Sequence, residues 1–443
     1  MTVPTRVAGA LMIAVALSAC GTARVAPATA RDISMPRRHV LANGVTVVVL
    51  EHRSADVAAV QLWVRAGARD ETASELGLAH YLEHMLFKGT PTRTAGFIDR
   101  EVERVGGRIN AGTSLDYTFY HVVLPANRAT ATVRMLADIA VNATLDGTLL
   151  DNEKRIVLEE MRLHEDNPRR FLSTRLLALA FDGHPYGRPI IGRPELIRAL
   201  ERETLLTFYR RHYVPEAFTL VVVGAVSPTE IVATATDAFS RIPRRGERRR
   251  TPASPAMPAA RSEGIERPGA HGHLGLAWLA PRLDHADTPA MTVLVTILGQ
   301  SRTARLRTAL RDRLGIVHAI GSGYTAMEAA GVMTITAEFD PPNLARVESE
   351  IVAEIRRLRA GGVTEDERRR AITAAEAGRE FSRETAEGRA FALGRAETIW
   401  TLEDESAWVD RLRSVDRAQI AAVARRYLDP SRYVRLSVMP KSP

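Results

Sequence analysis

Hydrophobic positions recur on different periods along this chain, and each change of period predicts an element. Val45 to Leu50 and Val57 to Val64 are apolar runs of strand length, and Asn43-Gly44, set between His39 to Leu41 and the first run, predicts a hairpin. From Leu76 to Phe87 the apolar residues are almost continuous, which predicts a helix buried on most sides, ended by the Gly-Thr-Pro break at 89–91. Phe97 to Val105 reads as a helix stopped by Gly106-Gly107. Arg108 to Leu124 reads as two strands, the first carrying Asn110 and Ala111 and the second starting at Tyr117. Helical patterns follow over Arg128 to Asn142 and Leu149 to Glu165, the latter expected to stop before Pro168. A helix from Leu205 to Tyr213, a strand from Phe218 to Val223 and a helix to about Phe239 close this half.

The second half repeats the order. A strand from Gly272 to Trp278 leads to an apolar helix from Thr288 to Leu298, as Val57 to Val64 leads to the earlier buried helix. Arg211-His212-Tyr213-Val214-Pro215 before one strand is echoed by Arg425-Arg426-Tyr427 and Pro430 before a strand from Tyr433 to Val438. Between the halves, RRGERRR and a run of prolines read as a linker. At 443 residues the chain is too long for one ordinary core and suggests two domains of about 200 residues each. The expected fold is therefore α+β, two duplicated sandwiches of mainly antiparallel sheet flanked by helices. Residues 37–243 form the first domain, 244–265 the linker and 266–443 the second domain.

Composition is that of a globular protein, 45% hydrophobic and 25% charged. The net charge of +8 comes almost wholly from arginine, and no basic stripe alternates with aromatics, which argues against nucleic acid as a partner. Residues 1–19 combine Arg6, an apolar run from Val7 to Leu17 and the single cysteine, Cys20, directly after. The run is too short to span a bilayer and fits an export signal. Leu-Ser-Ala-Cys resembles the lipobox of bacterial lipoproteins, which implies cleavage before Cys20 and a membrane anchor through lipid on its thiol. Gly21, a non-acidic residue, then implies the outer membrane and a place on the periplasmic face of the envelope. Residues 20–36 read as a flexible tether.

The candidate chemistry lies in the buried helix, GLAHYLEHMLFKGT, where His80, Glu83 and His84 form an H-x-x-E-H arrangement. Two imidazoles four residues apart share one helical face and can direct ring nitrogens at one Zn²⁺, with room left for a third ligand and water. Glu83 can reach that water as a general base. In the later acidic helix Glu153 and Glu160 are seven residues apart, about 20° around the axis, so both can face one site, while Glu159 points elsewhere. His164 shares that face and is a rival third ligand. The second apolar helix has no His or Glu pair, so chemistry is assigned to the first half.

Taken with GARDE at 67–71, GGRINAGTS at 106–114, NEKRIVLEEMRLHEDNP at 152–168 and HPYGRPIIG at 184–192, the chain resembles the pitrilysin/insulinase family of metallopeptidases. The resemblance is greatest to the short-chain branch that includes the mitochondrial processing peptidases and their bacterial relatives. It implies a half-clamshell enclosing a chamber, and one zinc ion per chain on His80, His84 and Glu160. Glu83 is then the catalytic base and Glu153 supports a ligand or the proton transfer. It also implies that Asn110 and Ala111 lie on an edge strand to which an extended peptide adds. Arg305 matches a family arginine that reaches across to substrate. The family tyrosine is absent, and Gly315-Ile316-Val317-His318 stands in its place. Three readings of this departure stay open: His318 donates instead, Tyr324 reaches in, or a partner subunit completes the site, in a homodimer or with a zinc-less paralogue. The expected activity is zinc-dependent hydrolysis of peptides or unfolded polypeptides in the envelope. The alternative is a non-catalytic or partner-dependent subunit of an envelope complex.

Overall fold

The computed structural model describes residues 35–245, 251–256 and 260–441. The expected export signal, Cys20, nearly all of the tether and parts of the linker lie outside these residues.

The first half runs β1 (Arg37–Val40), β2 (Thr46–Glu51), β3 (Val57–Val64), α1 (Leu78–Leu86), α2 (Phe97–Arg104), β4 (Arg108–Thr113), β5 (Thr118–Pro125), α3 (Ala129–Asn142), α4 (Gly147–Asp166), α5 (Pro168–Ala180), α6 (Pro194–Arg198), α7 (Arg202–His212), β6 (Phe218–Gly224) and α8 (Pro228–Phe239). The second runs β7 (Arg261–Arg267), β8 (Gly272–Ala280), α9 (Thr288–Val295), β9 (Ala319–Ala326), β10 (Gly331–Phe339), α10 (Leu344–Gly361), α11 (Glu365–Ser382), α12 (Ala386–Ile399), α13 (Leu402–Arg413), α14 (Arg417–Tyr427) and β11 (Val434–Pro440). Two sheets result, in the orders β1-β2-β6-β3-β5-β4 and β7-β11-β8-β10-β9. Setting β1 aside, the two orders are the same, down to one parallel pair in each, β2 with β6 and β7 with β11. The fold is the expected α+β architecture of two like halves.

Side-chain alternation explains why the central strands are largely apolar on both faces. In β3, Ala58, Val60, Leu62 and Val64 point into the core made with the first half's own helices, whereas Ala59 and Trp63 point to the opposite face. That opposite face is covered by α12, whose Ala386 and Ala390 pack on Val48, Ala59, Trp63, Val221 and Val223. The arrangement is reciprocal: Leu172 and Leu176 of α5 pack on Ala277, Val434 and Leu436 of the second sheet. Each half lends a helix to the other's sheet, and both sheets are buried on two sides.

A buried polar network adds to this junction. Arg69 donates to Asp116 at 2.7 Å and to Glu328 at 2.8 Å. Tyr186 donates to Asp116 at 2.7 Å and accepts the Ala329 N–H at 2.9 Å. The GARDE and HPYG motifs thus supply residues that bind the first half to the 327–330 turn of the second.

Two expectations are corrected and one is extended. Strand β7 begins within the residues placed in the linker, of which 261–265 belong to it: RSEGIER is mostly charged and small, the look of a loop, yet pairs in parallel with β11 at the sheet edge. The helix expected to stop before Pro168 does so, α4 ending at Asp166, and Pro168 then opens a further helix, α5, where its missing N–H costs nothing and Asn167 caps the Arg169 and Arg170 amides. The apolar helix expected over Thr288 to Leu298 is α-helical only to Val295 and then widens into a π turn over Thr296–Gln300.

Candidate metal centre

The site is built on α1. Its start is fixed by a close backbone contact: Gly77 (φ +100°) meets Gly192 (φ +88°), where a Cβ on Gly192 would come 2.5 Å from the Gly77 Cα. Only glycine tolerates both that backbone and that approach. The Glu71 carboxylate accepts the Gly77 N–H at 3.0 Å and the Ala79 N–H at 2.8 Å, satisfying amides that a helix start leaves unpaired. Arg188 in turn donates to the Glu71 carbonyl. Leu78, Ala79, Tyr81, Leu82, Met85 and Leu86 are buried, so His80, Glu83 and His84 are left on the one remaining face. Tyr81 donates to the Leu150 carbonyl and ties that helix to α4.

Across this contact both histidines direct Nε2 at the same oxygen. His80 Nε2 and His84 Nε2 each lie 3.6 Å from Glu160 Oε2, with the rings 4.7 Å apart. The potential ligand atoms of the three residues all lie within 4.8 Å of one another. Bonds of about 2.0–2.2 Å in a tetrahedral zinc site put ligand atoms about 3.4 Å apart, so this spacing fits the ion. His80 Nδ1 is buried with no hydrogen-bond partner among the described residues, and His84 Nδ1 lies 2.9 Å from Glu153 Oε1, which leaves both Nε2 atoms for a metal. His164 addresses the other Glu160 oxygen, at 3.6 Å, and stands outside the trio. Glu159 pairs with Arg162 at 3.4 Å on the exposed side.

Electrostatics suit a cation. Burial, with repulsion from His84 and His164, pushes the His80 pKa down to about 3, so its ring is a neutral ligand. Burial disfavours the His84 imidazolium, but Glu153, Glu83 and Glu160 outweigh it and raise the pKa. Burial opposes charge on Glu153, yet hydrogen bonds from His84 and from Lys88, 2.8 Å away, hold its pKa below the ordinary range. Glu83 is raised by burial, against a 2.5 Å hydrogen bond from Thr113 and the nearby His84.

Asn110 and Ala111 lie on β4, the edge strand of the first sheet, and Asn110 Oδ1 accepts the Ala111 N–H at 2.8 Å. Thr113, on the same strand, makes the bond to Glu83, so the edge leads to the base. The structure does not bring Arg305 here. Its guanidinium is held at 2.6 and 2.8 Å by Glu367 and at 3.0 Å by the Gly362 carbonyl. His318 faces Asp340 at 2.9 Å, and Tyr324 donates to the Pro281 carbonyl at 2.6 Å. Glu71, Lys88 and Thr113 went unread in the sequence. Lys88 had a signal, since it follows His84 by one helical turn.

Comparison with known proteins gives the family. The insulinase (peptidase family M16) model matches residues 47–194, and the peptidase M16 inactive-domain model matches residues 199–375. An uncharacterized zinc protease of Mycobacterium tuberculosis is 30% identical over 383 residues, covering 84% of this chain and 86% of its own. One of Mycobacterium leprae is 32% identical over 382 residues, covering 85% and 81%. In fold, the chain is similar to a protease from Helicobacter pylori, with a TM-score of 0.86 at 23% identity over 92% of this chain and all of that one. A helix presenting H-x-x-E-H to a distal glutamate, within matches that span most of the sequence, leads to one conclusion: the chain belongs to the insulinase family of peptidases, M16.

Proposed function

We propose that this chain is a zinc endopeptidase that cleaves extended or unfolded peptides at the bacterial envelope. His80, His84 and Glu160 would hold one ion. The observation that carries the reading is the convergence of both Nε2 atoms on one Glu160 oxygen, with Glu83 on the same helical face. Zinc in such a donor set supplies Lewis acidity, which makes water acidic near neutral pH and polarises a carbonyl. Glu83 takes the proton of the attacking water and returns it to the leaving amine nitrogen as the C–N bond breaks. Thr113 fixes one Glu83 oxygen and leaves Oε1 to carry that proton. Glu153 sets the His84 ring through Nδ1. Substrate adds beside β4 as a further strand, a peptide carbonyl taking the Ala111 N–H from Asn110, and this pairing passes the peptide across Glu83. Export and a lipid anchor at Cys20 on the outer membrane rest on the Leu-Ser-Ala-Cys resemblance.

Zinc analysis and peptide cleavage on wild type and Glu83→Gln test the reading. The variant is expected to keep its zinc and lose at least about 10²-fold in rate; equal cleavage by both proteins removes the proposal. The pairing of Arg305 with Glu367 and the place of His318 favour a second form of it, in which a second copy or a zinc-less paralogue completes the site. Cleavage that rises only when such a paralogue is added supports that form. Full activity of the chain alone, unaffected by a paralogue and kept by the monomer at high dilution, excludes it.

A further inference from the structure

Three donor groups that the peptidase site leaves unused meet at one corner of the second sheet. His271 precedes β8, His318 precedes β9 and Asp340 follows β10. Because β10 pairs with both of the other strands, Phe339 opposite Gly272 and Glu338 opposite Ala319, the three strand ends arrive side by side. The His318 N–H donates to the Glu338 carbonyl at 2.8 Å, which fixes the backbone at the corner. His318 Nε2 lies 2.9 Å and His271 Nδ1 3.6 Å from the same oxygen of Asp340, and the two rings are 4.7 Å apart. The donor atoms all lie within 4.8 Å of one another, as those of His80, His84 and Glu160 do. Nearby Arg169 is paired with Glu338 at 2.9 Å, so its charge is compensated beside the cluster.

We infer that His271, His318 and Asp340 form a second, surface metal site for a borderline divalent transition ion, zinc being the probe. Two imidazoles and one carboxylate are a donor set suited to zinc, nickel or copper rather than to calcium or magnesium, which favour all-oxygen sites. The separations of 2.9 and 3.6 Å bracket the roughly 3.4 Å between ligands of a tetrahedral zinc ion. All three side chains are exposed, so water fills the remaining positions and binding is weaker than at the buried centre. The inference stands apart from the peptidase reading.

Equilibrium dialysis of the exported chain against zinc tests it, with circular dichroism as the check on folding. His271→Ala/His318→Ala is expected to bind one equivalent fewer than wild type. His80→Ala/His84→Ala is expected to keep that equivalent and to lose it when the first pair of changes is added. If the double variant does not fold, the near-isosteric Asp340→Asn carries the test, with an expected loss of at least about tenfold in affinity for that equivalent. Equal zinc content in wild type and a folded His271→Ala/His318→Ala overturns the site, as does a zinc-free His80→Ala/His84→Ala protein or unchanged affinity in Asp340→Asn.

Discussion

Glu153 is the residue on which the quality of the candidate centre turns. It is buried, it addresses His84 Nδ1 and it is held by Lys88, so it sets both the tautomer and the angle of a ligand it does not replace. Glu153→Ala is expected to weaken zinc binding about 10–100-fold with the fold retained. Glu83→Gln, which touches no ligand nitrogen, is expected to leave zinc affinity near the wild-type value; metal titration of the two variants separates these roles. The candidate trio was legible in part: helical geometry puts His80 with His84 and Glu153 with Glu160 on one face, but it left His164 a rival to Glu160, and the family resemblance rather than the spacing chose between them. Thr113 and Glu71 were not, since they reach the helix from other elements and only tertiary packing decides which oxygen meets which amide. Arg305 shows the converse. A motif match named the residue, but Glu367, placed by the capping box at Thr364 to start α11, takes its guanidinium.

At the scale of elements, α1 depends on how its first turn is seated. Burial pushes the Glu71 carboxyl up to about 8, against the two amides that favour its charged form. The folded chain therefore binds this proton more tightly than the unfolded one does. The resulting stability is complete below the ordinary value of 4.5 and is lost as pH rises through about 8. Thermal melts from about pH 5 to about pH 9 should show wild type falling relative to Glu71→Gln, by an amount on the order of a few kcal/mol; parallel curves would rule out this account of the cap. Gly192→Ala drives a methyl into Gly77 and is expected to cost about 2–4 kcal/mol and to loosen zinc with it, read by melting temperature and metal content. Strands β2, β3 and β6 were readable from their largely apolar runs. The edge strand β7 was not, because a strand with one neighbour and little burial carries little apolar signal.

At the scale of the whole molecule, the exchange of α5 and α12 decides stability. Its signature was present in β3, whose odd positions carry Val57, Ala59 and Trp63 with Gln61 as the one polar exception, but no periodicity says which distant helix covers the second face. The fit is tight. A Cβ on Gly394 of α12 would come 2.0 Å from Trp63 Nε1. Gly394→Val is expected to destabilise the chain by about 1–3 kcal/mol or more, seen as a lower melting temperature, while zinc binding is retained because Trp63 lies on the sheet face opposite α1. A variant that melts like wild type would show that α12 can shift away from the sheet at no cost.

The same exchange sets an order of events during synthesis. Trp63 and its neighbours leave the ribosome early, but α12 begins only at Ala386, after most of the polypeptide has been made. Until then the nascent chain carries an oily sheet surface that nothing of its own can shield, and such surfaces invite aggregation or chaperone binding. Synthesis of α12 is thus what makes safe a sheet face that β6 completes more than 160 residues earlier.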